Sequence, residues 1–119
     1  MLINYKTLNY LKTGMGEDSV QELIDLYLTT SPEVLHNIQE AIQEQDSEKL
    51  AFWSHRLKGS SCTLGFDDIQ NLSEETETLS RHGDVKGAAL KFKDIIPLYE
   101  RLEHTLKRYG IEPQLHTLN

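Results

Sequence analysis

The chain has 119 residues, of which 12 are Lys or Arg and 19 are Asp or Glu, so its formal net charge is −7. This length suits a single domain with one core, and the acidic balance argues against nucleic-acid binding and against docking on an anionic membrane. No apolar run approaches the roughly 20 residues of a membrane span, and the N-terminal residues lack the apolar segment of a signal peptide. The single cysteine, Cys62, leaves no internal disulfide, so a reducing cytoplasm is the expected location.

The first half of the chain is predicted to form three helices. The first begins after Asn4, a residue type that caps helices, and stops at Gly14 and Gly16. The second covers about 17–29 and opens with two acidic residues, which suit the positive end of a helix dipole. Ser31-Pro32 predicts the start of the third, because serine caps helices and proline favours the first helical position.

Three further helices are predicted from Ser47 to about Thr63, from Asp67 to near Gly83, and from Asp84 to Gly110. Gly65 suits a left-handed cap after the first of these, and Pro97 is expected to kink or split the last. The chain is therefore predicted to be all-α. Residues 1–110 would form one antiparallel, up-down four-helix bundle with two shorter N-terminal helices, and 111–119 a loose C-terminal tail.

The helix around residue 55 has a predicted core side and a predicted exposed side. At about 100° per residue, its apolar stripe is Leu50, Trp53, Leu57, Ser60 and Leu64. His55 falls on the opposite side, and its near neighbours there are Glu48, Ala51, Phe52, Lys58, Gly59 and Cys62. A mid-helix glycine costs roughly 1 kcal/mol against alanine, so Gly59 indicates that something must approach the backbone beside the histidine.

This arrangement suits chemistry on a phosphoryl group. A neutral imidazole is a good nucleophile near neutral pH, because its unperturbed pKa is about 6.5. Lys58 lies one turn from His55, is expected to be exposed, and could steady the added negative charge. The chain has neither a phosphate-binding glycine loop nor a carboxylate cluster typical of a magnesium site. The remaining catalytic groups would have to come from a partner.

The segment His55-Arg56-Leu57-Lys58-Gly59-Ser60-Ser61-Cys62-Thr63-Leu64-Gly65 resembles the signature of histidine-containing phosphotransfer (HPt) domains of two-component phosphorelays. The resemblance extends from about Leu8 to Leu106. It implies a four-helix bundle whose exposed histidine accepts a phosphoryl group from the phospho-aspartate of a receiver domain, or from a kinase, and passes it to another receiver. It also implies that His55 is the phospho-acceptor, that Lys58 orients or neutralises the phosphoryl group, and that Gly59 clears the approach.

The expected partners are receiver domains of response regulators or a hybrid histidine kinase, with no nucleic acid and no membrane. Their binding surface would surround His55 and include Glu48, Ala51, Phe52 and Cys62. Mg²⁺ is expected at the receiver and no cofactor or metal on this chain, which is expected to be a monomer. The other histidines, His36, His82, His104 and His116, lack metal-ligand spacing.

Several interpretations remain open on the sequence alone. A helical docking or inhibitor module that binds a receiver or kinase without carrying phosphate is the main alternative, and a kinase fragment is a third, although the chain has no ATP-binding region.

Phe52 could cover a neighbouring helix instead of contacting a partner. The apolar residues of 17–29 could serve the core, a receiver-binding patch, or both. The acidic tract at 74–77 is interpreted as a solvated face. The family often has cysteine and leucine where this chain has Ser73 and Thr76, which predicts a less apolar core there.

Overall fold

The structure is a computed structural model that describes the backbone of residues 1–118 and the side chains of residues 1–107. Over residues 1–118 it is all-α and contains no strand, as predicted. Its helices are α1 (Tyr5–Met15), α2 (Glu17–Glu44), α3 (Ser47–Leu64), α4 (Asp67–Arg81) and α5 (Val85–Leu118). In this part of the chain, no helix combines the length and apolarity needed to cross a membrane.

Two predicted helix boundaries are confirmed, the start of α1 and the end of α3. The Asn4 side chain caps α1 by accepting hydrogen bonds from the backbone N–H groups of Lys6 and Thr7. Gly65 ends α3 in the left-handed conformation, with φ of 79°. A Cβ at Gly65 would lie 2.7 Å from the Cβ of Thr7, so both the backbone conformation and the close approach of α1 favour glycine.

The predicted second and third helices are one continuous helix, α2, with Pro32 inside it. The prediction of a new start at Ser31-Pro32 is therefore wrong, and only α1 remains as a short N-terminal helix. The buried positions of α2 follow each other at helical spacing through the proline: Val20, Ile24, Tyr27, Ser31, Ile38 and Ala41. Because Pro32 points to solvent, packing of this stripe holds both halves in line and outweighs the missing backbone donor.

The helix that contains Pro97 also continues past its predicted limits. α5 is not split at Pro97, an exposed position, and it runs beyond Gly110 to Leu118, so the predicted helix end at Gly110 is wrong. Ala88, Ile95 and Leu102, on both sides of the proline, are buried on the same core. The division of the chain into a domain of residues 1–110 and a tail of 111–119 stays a prediction.

The core lies where α2 contacts α3 and α5, and where α4 contacts α3 and α5. α1 packs on α2 at one end and contributes Leu8. Ser73 and Thr76 of α4 are fully buried, and their hydroxyl groups donate to the carbonyl oxygens of Ile69 at 2.6 Å and Leu72 at 2.7 Å. The less apolar core predicted for α4 is thus present, with its hydroxyls satisfied. α3 lies between α2 and α4 with its outer face open.

Candidate functional site

His55 lies on α3 at the edge that faces α4. Its side chain is 59% exposed, while Leu57, two residues on, is fully buried. The helical pattern of α3 therefore directs one face into the core and leaves the imidazole at the surface, as the sequence predicts.

One side of the imidazole is held by a carboxylate from α4. Nδ1 of His55 lies 3.1 Å from Oε2 and 3.2 Å from Oε1 of Glu77. The sequence predicts that Glu77 belongs to a solvated acidic face, but its side chain is only 8% exposed. That assignment is wrong for Glu77, whereas Glu74 and Glu75 are exposed as expected.

Glu77 is also bound by two cations. Nζ of Lys58 lies 2.9 Å from Oε1, and Arg81, one turn further along α4, donates to Oε2 from Nε at 2.9 Å and from Nη2 at 2.6 Å. Lys58 is less exposed than the sequence suggests, with 27% of its side chain accessible. The nucleophile candidate and both cations therefore converge on a single carboxylate.

These contacts stabilise the ionised form of the Glu77 carboxyl group. Burial by itself raises the pKa of a carboxyl group, but hydrogen bonds from Lys58 and Arg81, the positive charge of Lys58 and a smaller electrostatic contribution from His55 outweigh it, so the pKa of Glu77 lies below its ordinary value. Glu77 is consequently ionised at neutral pH and can only accept hydrogen bonds.

The ionised carboxylate fixes the protonation pattern of the ring. Since Glu77 cannot donate, Nδ1 of His55 must carry the proton that joins them. In the neutral imidazole, Nε2 then keeps a free lone pair. The site thus presents an oriented nitrogen nucleophile at the protein surface.

The flank of His55 along α3 is open. A Cβ built on Gly59 meets no atom within 4 Å, so the glycine is not required for packing between helices of this chain. Phe52 is 53% exposed, and Glu48 and Cys62 are exposed as well. The rings of Phe52 and the half-buried Trp53 meet edge to face, with 5.0 Å between their centroids.

The prediction that Ala51 belongs to the partner-binding surface is wrong. Ala51 is 4% exposed and belongs to the interior, so it offers no surface to a partner. Ser60, placed on the core side from the sequence, is exposed, whereas Ser54 and Ser61 are fully buried. The buried face of α3 is rotated from the predicted stripe towards these two serines, and this rotation brings Ala51 inside.

A shallow groove of about 140 Å³ lies beside this surface between α2 and α3. Its lining residues are Leu23, Leu26, Tyr27, Thr30, Ser60, Thr63 and Leu64. Tyr27 is buried and Leu26 is 58% exposed. The residues of 17–29 therefore serve both the core and an accessible apolar surface, a choice that the sequence leaves open.

No metal centre accompanies the site in the part of the chain whose side chains are described. No group of three or more His, Cys, Asp or Glu residues there is arranged to hold a metal ion. His116 lies outside the residues with described side chains.

Sequence reasoning missed Glu77 and Arg81. Their spacing of four residues, with the acid first, is a known helix pair and could have indicated that they act together. Nothing in a single sequence, however, relates Glu77 to His55, since 22 positions separate them. Only the packing of α4 on α3 brings the carboxylate to the ring.

A sequence model of the Hpt domain family matches residues 22–109, a range that includes His55, Lys58, Glu77 and Arg81. Among curated proteins, the phosphorelay protein LuxU of Vibrio vulnificus is 27% identical over 108 residues, covering 91% of this chain and 91% of LuxU. Histidine-containing phosphotransfer protein 4 of Arabidopsis thaliana is 23% identical over 107 residues, covering 88% of this chain and 84% of that protein.

Two solved structures share the fold. The histidine-containing phosphotransfer protein HptB of Pseudomonas aeruginosa superposes with a TM-score of 0.86 at 23% identity, covering 91% of this chain and 93% of HptB. The HPT domain of a sensor hybrid histidine kinase from Shewanella superposes with a TM-score of 0.80 at 20% identity, covering 93% of this chain and 95% of that domain.

Proposed function

The chain belongs to the Hpt domain family, and from this premise we propose that it carries a phosphoryl group on His55 between receiver domains, or from a kinase to a receiver. The observation that supports this function best is the exposed imidazole whose Nδ1 is bound to Glu77. That bond leaves Nε2 as the nitrogen that can attack phosphorus. Curated relatives that are phosphorelay and phosphotransfer proteins support the same role.

The proposed transfer is a direct displacement at phosphorus. The Nε2 lone pair attacks the aspartyl phosphate of a receiver, an N–P bond forms, the P–O bond to the aspartyl carboxyl breaks, and the aspartate leaves as a carboxylate. The positive charge that develops on the ring is stabilised by Glu77 through the Nδ1 proton. Passing the phosphoryl group to the next receiver reverses these bond changes.

Lys58 is proposed to contact the phosphoryl group once it is attached. Its ammonium group is held 2.9 Å from Glu77, a partner it shares with the imidazole, and its long side chain can reorient towards new negative charge. The structure changes the sequence-based view of this lysine, because its charge is already paired before any phosphoryl group arrives.

The proposed docking surface surrounds His55 on α3 and continues onto α2. It comprises Glu48, Phe52, Gly59 and Cys62, together with the groove beside Leu26. An exposed aromatic ring and an apolar groove next to a nucleophile are features of a protein interface. The open space at Gly59 would let the backbone of a partner's active site approach the ring.

Other features of the carrier are proposals that follow from the same premise. We propose that α2, α3, α4 and α5 form an antiparallel, up-down four-helix bundle, since consecutive members are joined by two or three residues and contact each other. Mg²⁺ would be supplied by the receiver. The protein is proposed to act as a monomer in the cytoplasm, where the free Cys62 would stay reduced.

The decisive variant for this function is His55→Gln. It should abolish labelling by a phosphorylated receiver while leaving helical circular dichroism unchanged, because the side chain is largely exposed and only the nucleophile is lost. His36→Gln, at another exposed histidine, is the matched control and should be labelled like the wild type. The label should be acid-labile, as expected for an N–P bond.

Three outcomes would contradict the proposal. Labelling of the His55→Gln protein at the wild-type rate would show that another residue accepts the phosphoryl group. Tight receiver binding without phosphohistidine under turnover conditions would favour the docking or inhibitor module instead. Labelling by ATP alone would indicate a kinase activity that the proposed carrier lacks.

A further inference from the structure

We propose that Glu77 is a positioning residue that keeps a proton on Nδ1 of His55 after phosphoryl transfer as well as before it. Phospho-His55 would then persist as a protonated, readily transferred phosphoimidazolium. This inference rests on the proposed function and deepens it, because it assigns control of the reactivity and lifetime of the phosphorylated carrier to a residue on α4.

In the unphosphorylated protein, Glu77 already determines which ring nitrogen carries the proton. The Nδ1 proton bridges His55 and a carboxylate whose side chain is only 8% exposed. Because a hydrogen bond to an ionised acceptor is stronger than one to a neutral acceptor, the Nδ1–H tautomer is favoured over the Nε2–H tautomer. Attack by Nε2 therefore requires no prior proton transfer.

The same contact acts on the product. When Nε2 forms its bond to phosphorus, the ring keeps the Nδ1 proton and becomes positively charged. An adjacent carboxylate stabilises that cation, so the ring should hold its Nδ1 proton to higher pH than it would without Glu77. On transfer to a receiver or to water, the N–P bond breaks and neutral imidazole leaves with its proton in place. A deprotonated ring would have to leave as an imidazolide anion, which is a much poorer leaving group.

The other charges around the ring oppose this effect and limit it. Lys58 on α3 and Arg81 on α4 bind Oε1 and Oε2 of the same carboxylate, and their positive charges disfavour a cationic ring. No ionisable side chain of α2, the other helix packed on α3, forms an ion pair or hydrogen bond with His55 among the residues with described side chains. Glu77 is thus the acidic group in direct contact with the ring, and Arg81 is the more exposed of its two cations.

The test uses the full chain after phosphorylation by phosphoramidate, a small-molecule phosphoryl donor, in the absence of any receiver. Nitrogen-15 NMR of the His55 ring gives the pH at which phospho-His55 loses half of its Nδ1 proton. In Glu77→Gln this midpoint should fall by about one pH unit or more, and hydrolysis of the N–P bond at pH 8 should slow several-fold. Glu74→Gln, at an exposed acid of α4 without an His55 contact, is the matched control and should match the wild type.

Arg81→Gln provides a second variant with the opposite sign. It removes an exposed cation and keeps the carboxylate, so the midpoint should rise and hydrolysis should accelerate. A Glu77→Gln protein that fails to fold therefore leaves the inference testable. Equal midpoints in the wild type and Glu77→Gln, or a lower midpoint in Arg81→Gln, would overturn it.

The unphosphorylated protein gives a readout that is independent of phosphotransfer. Its neutral ring should be mainly the Nδ1–H tautomer, and Glu77→Gln should shift the population towards Nε2–H. A wild-type ring that is mainly the Nε2–H tautomer would overturn the role of Glu77, even if phosphoryl transfer to receivers proceeds normally. Conversely, correct tautomer and midpoint shifts without transfer to any receiver would contradict the proposed function and leave this inference intact.

Discussion

At the scale of single residues, Gly59 and Glu77 are two neighbours of the same histidine with different effects. Gly59 leaves free space beside His55 on α3, and Glu77 fills the side towards α4. The ring is therefore held in one orientation without being covered. The proposed transfer of a phosphoryl group between His55 and a partner's active site requires both properties.

A glutamine at Gly59 should separate access from stability. In Gly59→Gln the added side chain would enter space that a partner is proposed to use, and transfer from a phosphorylated receiver should slow on the order of 100-fold, the effect of about 1 Å of misplacement at a reacting centre. The free energy of unfolding should stay the same or rise by about 0.5 kcal/mol, because glutamine favours helix more than glycine does. Stopped-flow transfer rates and urea denaturation measure the two effects.

Gly59→Ala is the control for that experiment, since it changes helix propensity while adding a single methyl group. It should raise stability and leave transfer within a few-fold of the wild type. Transfer by Gly59→Gln at the wild-type rate would mean that partners do not use the space beside this glycine.

Ala51 and Glu77 differ from their predicted positions for related physical reasons. The predicted stripe on α3 is centred on its large apolar side chains, but the true buried face includes Ser54 and Ser61, which a hydrophobic pattern cannot recognise. The estimated face was therefore rotated, and Ala51 was placed outside. Glu77 was missed for a related reason, since a buried carboxylate is recognised by its partners and not by its own helix.

At the scale of elements, the helix boundaries at Asn4 and Gly65 were predictable from the sequence, whereas the continuity of α2 and the extent of α5 were not. Asn4 and Gly65 act through short-range bonds and local backbone conformation, which the neighbouring sequence specifies. Pro32 also gives a strong local signal, but the buried stripe of α2 continues across it. Tertiary packing decided the outcome there, although the regular spacing of that stripe was already present in the sequence.

Replacing the internal proline tests this explanation. Pro32→Ala should raise the free energy of unfolding by roughly 1 to 3 kcal/mol, because it restores a backbone donor and removes crowding in a helix whose course is set by packing. Urea denaturation monitored by circular dichroism at 222 nm gives the value. Labelling of His55 should be unaffected, since Pro32 is exposed. A loss of stability would show instead that the core depends on the backbone shape imposed by the proline.

At the scale of the whole molecule, two tyrosines from different helices meet in the interior. Tyr27 of α2 and Tyr99 of α5 lie with their ring centroids 6.3 Å apart, and the hydroxyl groups of Tyr27 and Ser61 are 3.0 Å apart. Burial raises the pKa of Tyr27 and that of Tyr99 to about 12. The folded bundle therefore disfavours their ionisation.

This burial predicts how stability responds to alkali. Unfolded tyrosines ionise near pH 10, whereas the folded state keeps these two neutral until about pH 12. Their contribution should be complete below pH 10 and should be lost as the pH rises from 10 to 12. Urea denaturation across pH 7 to 12 measures it, with pH 7 to 9 as the baseline.

Tyr99→Phe should make the alkaline decrease less steep, because phenylalanine has no group to ionise in the unfolded state. An unchanged slope in this variant would show that ionisation of Tyr99 does not contribute to alkaline unfolding.

The unbroken course of α2 has a consequence for encounters with other proteins. Its 28 residues form a helix about 40 Å long at 1.5 Å per residue. The part of α2 that lines the surface groove is therefore already helical in the chain without a bound partner. A visiting protein therefore loses little association free energy to ordering this helix. For the proposed carrier, this means that each short-lived complex with a different partner could form and dissociate without any folding or unfolding of α2.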